Sequence, residues 1–207
     1  MKITSVKVVA FDCDGVMFDS TQANIAYYNQ ILDHLHLSPM SREQFTYAHM
    51  HTVDETLAYL IPDAATLTAA QQYRRTMSYL PFIRYMIKEP HLDRLLDILR
   101  PTHKTAVATN RTDTMDRLLA EFKLDGLFDL VVTAGDVERP KPYPDVLLKV
   151  LEFFALSPDQ TIYVGDSKLD ELAAEAACIP LVAYRNRNLA SGYHIDTLKD
   201  LEALLNL

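Results

Sequence analysis

Short apolar runs recur along the chain, at residues 6–11, 105–108, 130–132, 162–164 and 181–183. Each is too short for a buried helix and rich in β-branched residues, as expected of strands covered on both faces. Apolar residues at three- and four-residue spacing lie between most of these runs. Leu92, Leu95, Leu96 and Leu99 mark one helix. Met115, Leu118, Leu119 and Phe122 mark a second within a helix over 111–123, and Val146, Leu147, Val150, Leu151 and Phe154 a third. Leu172, Ala173 and Ala176 mark a fourth, and Leu198, Leu201, Leu204 and Leu205 a last one. Strands alternating with helices predict an α/β fold, a doubly wound, Rossmann-like parallel sheet with helices on both faces.

One stretch breaks the alternation. Residues 20–88 carry helical patterns and no convincing strand, including a long segment over 69–87 that holds Arg74, Arg75 and Arg84. We read this as an inserted all-helical cap spanning 19–88, within a core made of 1–18 and 89–207. Pro90 is read as the return to the core.

Doubly wound sheets bind ligands beyond the carboxyl ends of their strands. The first run is followed by Asp12-Cys13-Asp14-Gly15, the second by Thr109-Asn110, and the fourth by Gly165-Asp166 with Asp170 four residues on. Arg139-Pro140-Lys141-Pro142 lies between the third and fourth runs. Four converging carboxylates repel one another and call for a cation, and an all-oxygen set favours Mg²⁺. Mg²⁺ commonly bridges to phosphate. Thr109 offers a hydroxyl, the N–H groups after it can face an anion, and Lys141 supplies a fixed positive charge. Alone, Asp-x-Asp-Gly reads as a strand-ending turn, Thr109 as a helix cap and Lys141 as a surface lysine. Together they read as a site.

The same order and spacing resembles the haloacid dehalogenase-like hydrolase superfamily across the whole chain. Asp12-x-Asp14-Gly15, Thr109, Lys141 and Gly165-Asp166-x-x-x-Asp170 look like its four motifs. Asp19-Ser20 and the helical insertion are similar to the small-capped branch that includes phosphoglycolate phosphatases and β-phosphoglucomutases. The resemblance implies Asp12 as nucleophile and Asp14 as acid and base. It implies Asp12, Asp14, Asp166 and Asp170 around Mg²⁺, and Thr109, Asn110 and Lys141 on the phosphoryl group. It also implies a phosphatase acting on a small phosphorylated metabolite through an aspartyl-phosphate. A sugar-phosphate mutase uses the same core, but related phosphomutases place a histidine where Asn24 stands. A dehalogenase needs neither Asp14 nor Mg²⁺, and a silent binding module needs none of the motif residues. In the cap, His49, His51 and Thr52 form either a substrate-specificity loop with Asn24 or a polar surface turn.

Composition narrows the partners. The 207 residues carry a formal charge of −8, which argues against nucleic acid. No apolar run has the length of a membrane span or signal core. The two cysteines, Cys13 and Cys178, do not suggest a disulfide framework. A cytoplasmic monomer or homodimer is expected.

Overall fold

The computed structural model describes residues 6–48, 53–112 and 114–207. These divide into two compact units, one of Met1–Asp19 with Ile87–Leu207 and one of Ser20–Met86. The chain opens with β1 (Val8–Phe11) and a short β2 (Phe18–Asp19). It then enters the helical unit through α1 (Thr21–His34), α2 (Arg42–Ala48), α3 (Val53–Leu60) and α4 (Ala64–Thr76). It returns by β3 (Ile87–Lys88) and alternates through α5 (Leu92–Leu99), β4 (Lys104–Ala108), α6 (Met115–Glu121) and β5 (Leu130–Val132). The remainder is α7 (Asp145–Phe154), β6 (Thr161–Gly165), α8 (Lys168–Ala176), β7 (Leu181–Tyr184), β8 (Tyr193–Ile195) and α9 (Asp200–Leu205).

Six strands form one sheet in the order β5-β4-β1-β6-β7-β8, every pair parallel. The chain winds outward from β1 through β4 and β5, then crosses back to β6 on the other side. The order therefore reverses at β1, and the crevice for a ligand opens at its carboxyl end. The register is in step there: Phe11 lies opposite Val107 on one side and Val164 on the other. The residues that follow, Asp12, Thr109 and Asp166, are thus delivered to the same edge. All four residues of β1 are buried, as its uninterrupted apolar run requires.

Three details depart from the sequence reading. A sixth core strand, β8, is an edge strand whose Tyr-His-Ile sequence carries no apolar run. Ile87 and Lys88 pair antiparallel with Phe18 and Asp19, a ribbon too short to leave a periodicity. The segment over 69–87 is not one helix. Met77 turns extended after α4, and Leu80–Tyr85, with Pro81 in its first turn, is a separate 3-10 helix. Arg84 therefore belongs to a different element from Arg74 and Arg75.

The helical unit has its own core of Tyr28, Ile31, Leu32, Leu57, Leu60, Ile61 and Ala70. Asp63 caps α4 by accepting the Thr66 N–H at 2.9 Å. No helix among the described residues is long and apolar enough to cross a membrane.

Candidate active site

Asp12 continues β1 for one residue, its N–H donating to the Val164 carbonyl at 2.9 Å. That bond carries the strand pairing up to the carboxylate and fixes where the side chain leaves the backbone. Asp12, Asp166 and Asp170 each place a carboxylate oxygen within 4.8 Å of the others. Gly15 makes the close approach possible. Its φ is +83°, and a Cβ there would lie 2.1 Å from Asp166 Oδ2, so the Asp166 carboxylate rests against bare backbone.

Lys141 is the counter-charge. Its Nζ donates to Asp170 Oδ1 at 2.6 Å and to the Tyr163 hydroxyl at 2.9 Å. It also lies 2.8 Å from Asp12 Oδ1. That last contact is a buried ion pair, with the Lys141 side chain 2% and the Asp12 side chain 9% exposed. The Lys141 backbone is pinned as well: Asn110 accepts its N–H and donates to its carbonyl, both at 2.9 Å. Both ends of the Asn110 amide are thus engaged on Lys141, which leaves its main chain as the part able to meet an anion.

Asp170 is satisfied on both oxygens. Oδ1 accepts from Lys141 and from Tyr163 at 2.8 Å, and Oδ2 from the Ser167 N–H, the Ser167 hydroxyl and the Asp166 N–H. It also completes a capping box at the start of α8. Asp170 therefore braces the Asp166 loop and Lys141 together. Gly165 lets it pack: a Cβ there would sit 2.4 Å from Asp170 Cβ. We expect Gly165→Ala to cost about 1–3 kcal/mol by overpacking a side chain that has no room to yield. Thermal unfolding checks this, and an unchanged midpoint would show that the crowding is relieved without cost.

Burial dominates the electrostatics. It raises the Asp12 carboxyl to about 7, Asp170 adding to the rise and Lys141 opposing it. It raises Asp166 to about 8, with Asp12 and Asp170 adding to the effect. Asp170 is pushed up by burial too, but Lys141, Ser167 and Tyr163 outweigh that and hold it low. Burial depresses Lys141, while Asp12 and Asp170 more than restore it, so it remains an ammonium. The charged forms of Asp12 and Asp166 are thus disfavoured even beside a lysine. That imbalance, with an all-oxygen donor set from Asp12, Asp166 and Asp170, fits a hard divalent cation.

Thr109 is buried at the end of β4, its N–H donating to the Val132 carbonyl at 3.0 Å. It does not cap a helix. Its hydroxyl accepts the Arg111 N–H at 3.2 Å, and the Arg111 carbonyl accepts from Ala134. Those bonds hold the segment in a loop, so α6 starts only at Met115. The sequence reading places Arg111 only at the start of the helix expected over 111–123, yet it grips Asp14 in a fork: Nε to Oδ2 at 2.8 Å and Nη2 to Oδ1 at 2.9 Å. Tyr163 is the other residue the sequence reading misses. Cys13 is fully buried between the two aspartates, and burial pushes its thiol well above the ordinary range, as befits a packing residue.

In the helical unit, Asn24 lies on α1. Its Oδ1 accepts from the Tyr79 hydroxyl at 2.6 Å, and its Nδ2 donates to the Ser20 hydroxyl at 3.4 Å. His49, His51 and Thr52 lie outside the described residues.

A family model described as haloacid dehalogenase-like hydrolase matches residues 9–184. A protein named pyrophosphatase PpaX from Bacillus pumilus is 28% identical over 180 residues, covering 86% of this chain and 82% of its own length. A phosphoglycolate phosphatase from Escherichia coli is 28% identical over 226 residues, covering 97% and 87%. A crystal structure described as a HAD-superfamily hydrolase, subfamily IA, variant 1, from Geobacter sulfurreducens superimposes with a TM-score of 0.86. It shares 38% identity and covers 98% of this chain and 97% of that one.

Proposed function

Because the chain belongs to the haloacid dehalogenase-like hydrolase family, we propose that it is a Mg²⁺-dependent phosphatase of a small phosphorylated metabolite, acting through an aspartyl-phosphate on Asp12. The observation that carries this reading is the buried Asp12 carboxylate, ion-paired to Lys141 and clustered with Asp166 and Asp170. Two relatives named pyrophosphatase and phosphoglycolate phosphatase support the reaction class.

In this reading an Asp12 oxygen attacks phosphorus as the bond to the leaving oxygen breaks. The leaving oxygen keeps the electron pair and takes a proton from Asp14. Water then attacks the phosphoryl-aspartate, gives its proton to Asp14, and Asp12 departs with the bonding pair. Lys141 and the Thr109 hydroxyl hold the phosphoryl oxygens in line, joined by main-chain N–H groups after Thr109. Asp12, the Asp14 carbonyl and Asp166 would hold Mg²⁺, with Asp170 supporting the loop that carries Asp166. The ion supplies charge neutralisation for phosphate among carboxylates. The Ser20–Met86 unit would act as a cap that selects substrate and excludes water.

EDTA should abolish phosphate release from p-nitrophenyl phosphate, and Mg²⁺ should restore it. Mg²⁺ also competes with protons at Asp12 and Asp166, whose carboxyls in the metal-free protein sit near 7 and 8. Apparent Mg²⁺ affinity should therefore climb as pH rises through those values and level off above about pH 9. Calorimetric titration across this range reads it, and a flat affinity would count against these two ligands. Net isomerisation of a sugar phosphate without phosphate release would favour the mutase alternative, and halide release in EDTA the dehalogenase. No turnover, with no Mg²⁺-induced rise in melting temperature, would favour a silent binding module.

A further inference from the structure

We infer that Arg111 is a positioning residue that aims the Asp14 carboxylate at the leaving group. This rests on the phosphatase reading above, in which Asp14 handles the leaving-group proton. The two residues are 97 positions apart, so their meeting is a product of the fold. The fork geometry is specific. Nε and Nη2 each take one oxygen of the same carboxylate, which fixes both its position and its plane. A single ammonium would restrain distance only.

The guanidinium is itself immobilised. Its side chain is 8% exposed, whereas Asp14 is 37% exposed and so remains accessible. Nη1 donates to the Thr114 hydroxyl at 3.1 Å. The Arg111 N–H is held by the Thr109 hydroxyl and its carbonyl by the Ala134 N–H. A buried guanidinium with this many fixed partners is poorly placed to follow a substrate anion, and well placed to act as a template for its partner. The same short segment thus carries Thr109, for the phosphoryl oxygens, and Arg111, for the group that meets the leaving oxygen. Arg111 couples the two halves of the site through three residues of chain.

The chemistry gives a readout that simple loss of packing does not. A dinitrophenyl oxyanion departs without a proton, whereas an alkyl oxyanion needs one as the phosphorus–oxygen bond breaks. Misaiming Asp14 therefore penalises alkyl phosphates selectively. The test compares wild type, Arg111→Gln, Arg111→Lys and Asp14→Asn on phosphoglycolate and on 2,4-dinitrophenyl phosphate, with Mg²⁺ present. We expect Arg111→Gln to lower kcat on the alkyl ester about 10-fold or more beyond its effect on the aryl ester, in the same sense as Asp14→Asn. Inhibition by inorganic phosphate should hold. Arg111→Lys, which keeps the charge but not the fork, should recover only part of the loss. If Arg111→Gln fails to fold, the leaving-group ratio of Arg111→Lys decides.

Equal losses on both esters, weakened phosphate inhibition alone, or no loss would overturn the inference while Asp14→Asn still discriminates. If Asp14→Asn does not discriminate, the role given to Asp14 fails and the inference falls with it. If the wild type hydrolyses neither ester, the phosphatase reading falls too.

Discussion

Asp12→Asn is expected to abolish phosphate release, with a loss of about 10⁴-fold or more, while the metal-free protein should hold or gain stability. The activity loss follows because the amide is isosteric but not a nucleophile, and the attacking residue of a concerted constellation is not replaceable by its neighbours. The stability result follows from the sign of the shift. A carboxyl raised to about 7 from 3.8 binds its proton more tightly when folded than when unfolded. Its unfavourable contribution therefore grows as pH rises from the unfolded value to about 7, and is fully present above that. Asparagine removes the charge and the penalty together. Phosphate release with Mg²⁺ present checks the first half, and thermal unfolding in EDTA at about pH 8 the second. Retained turnover would sink the nucleophile assignment. A large loss of stability would mean that the Lys141 contact outweighs the cost of burial.

Lys141→Met should be the change at the site most damaging to stability. The ammonium lies within 2.8 Å of both Asp12 and Asp170, and its side chain is 2% exposed. Methionine fills similar volume but leaves two buried carboxylates without a counter-charge, a loss of about 3–5 kcal/mol. Activity should fall about 10³-fold, in line with removal of a preorganised donor from the phosphoryl oxygens. Mg²⁺ should return part of the stability by neutralising the Asp12 side, though not the Asp170 side, whose oxygens accept from protein donors. Urea unfolding with and without Mg²⁺ measures this. A midpoint insensitive to the substitution would show that the carboxylates protonate instead of strain.

The parallel core was legible because its strands are buried on both faces and leave unbroken apolar runs. The candidate site was legible where its residues directly follow such a run, as with Asp12, Thr109 and Asp166. It was less so where partners meet through the fold. The reading of the second cluster stopped at Thr109-Asn110, although a guanidinium directly after them was a usable signal for Arg111. Tyr163 was hidden because its ring reads as one more apolar residue of β6, while its hydroxyl binds Lys141 and Asp170. Asn110 looked like an anion ligand, yet its amide serves the Lys141 backbone. A Thr-Asn pair before a helical pattern cannot distinguish those uses. β8 and the β2–β3 ribbon were missed because short or half-exposed strands carry no periodicity of their own.

The ribbon bears on how such a chain can diversify. Asp19 and Ile87 are paired across it, so the two points where the core is interrupted lie one strand spacing apart. To the core, the intervening segment is a hairpin loop whose ends are already closed. The entropy of closing a loop grows only with the logarithm of its length. Lengthening, shortening or exchanging that segment therefore costs the core little closure entropy. The core can thus carry an insertion of different length at little cost in its own stability.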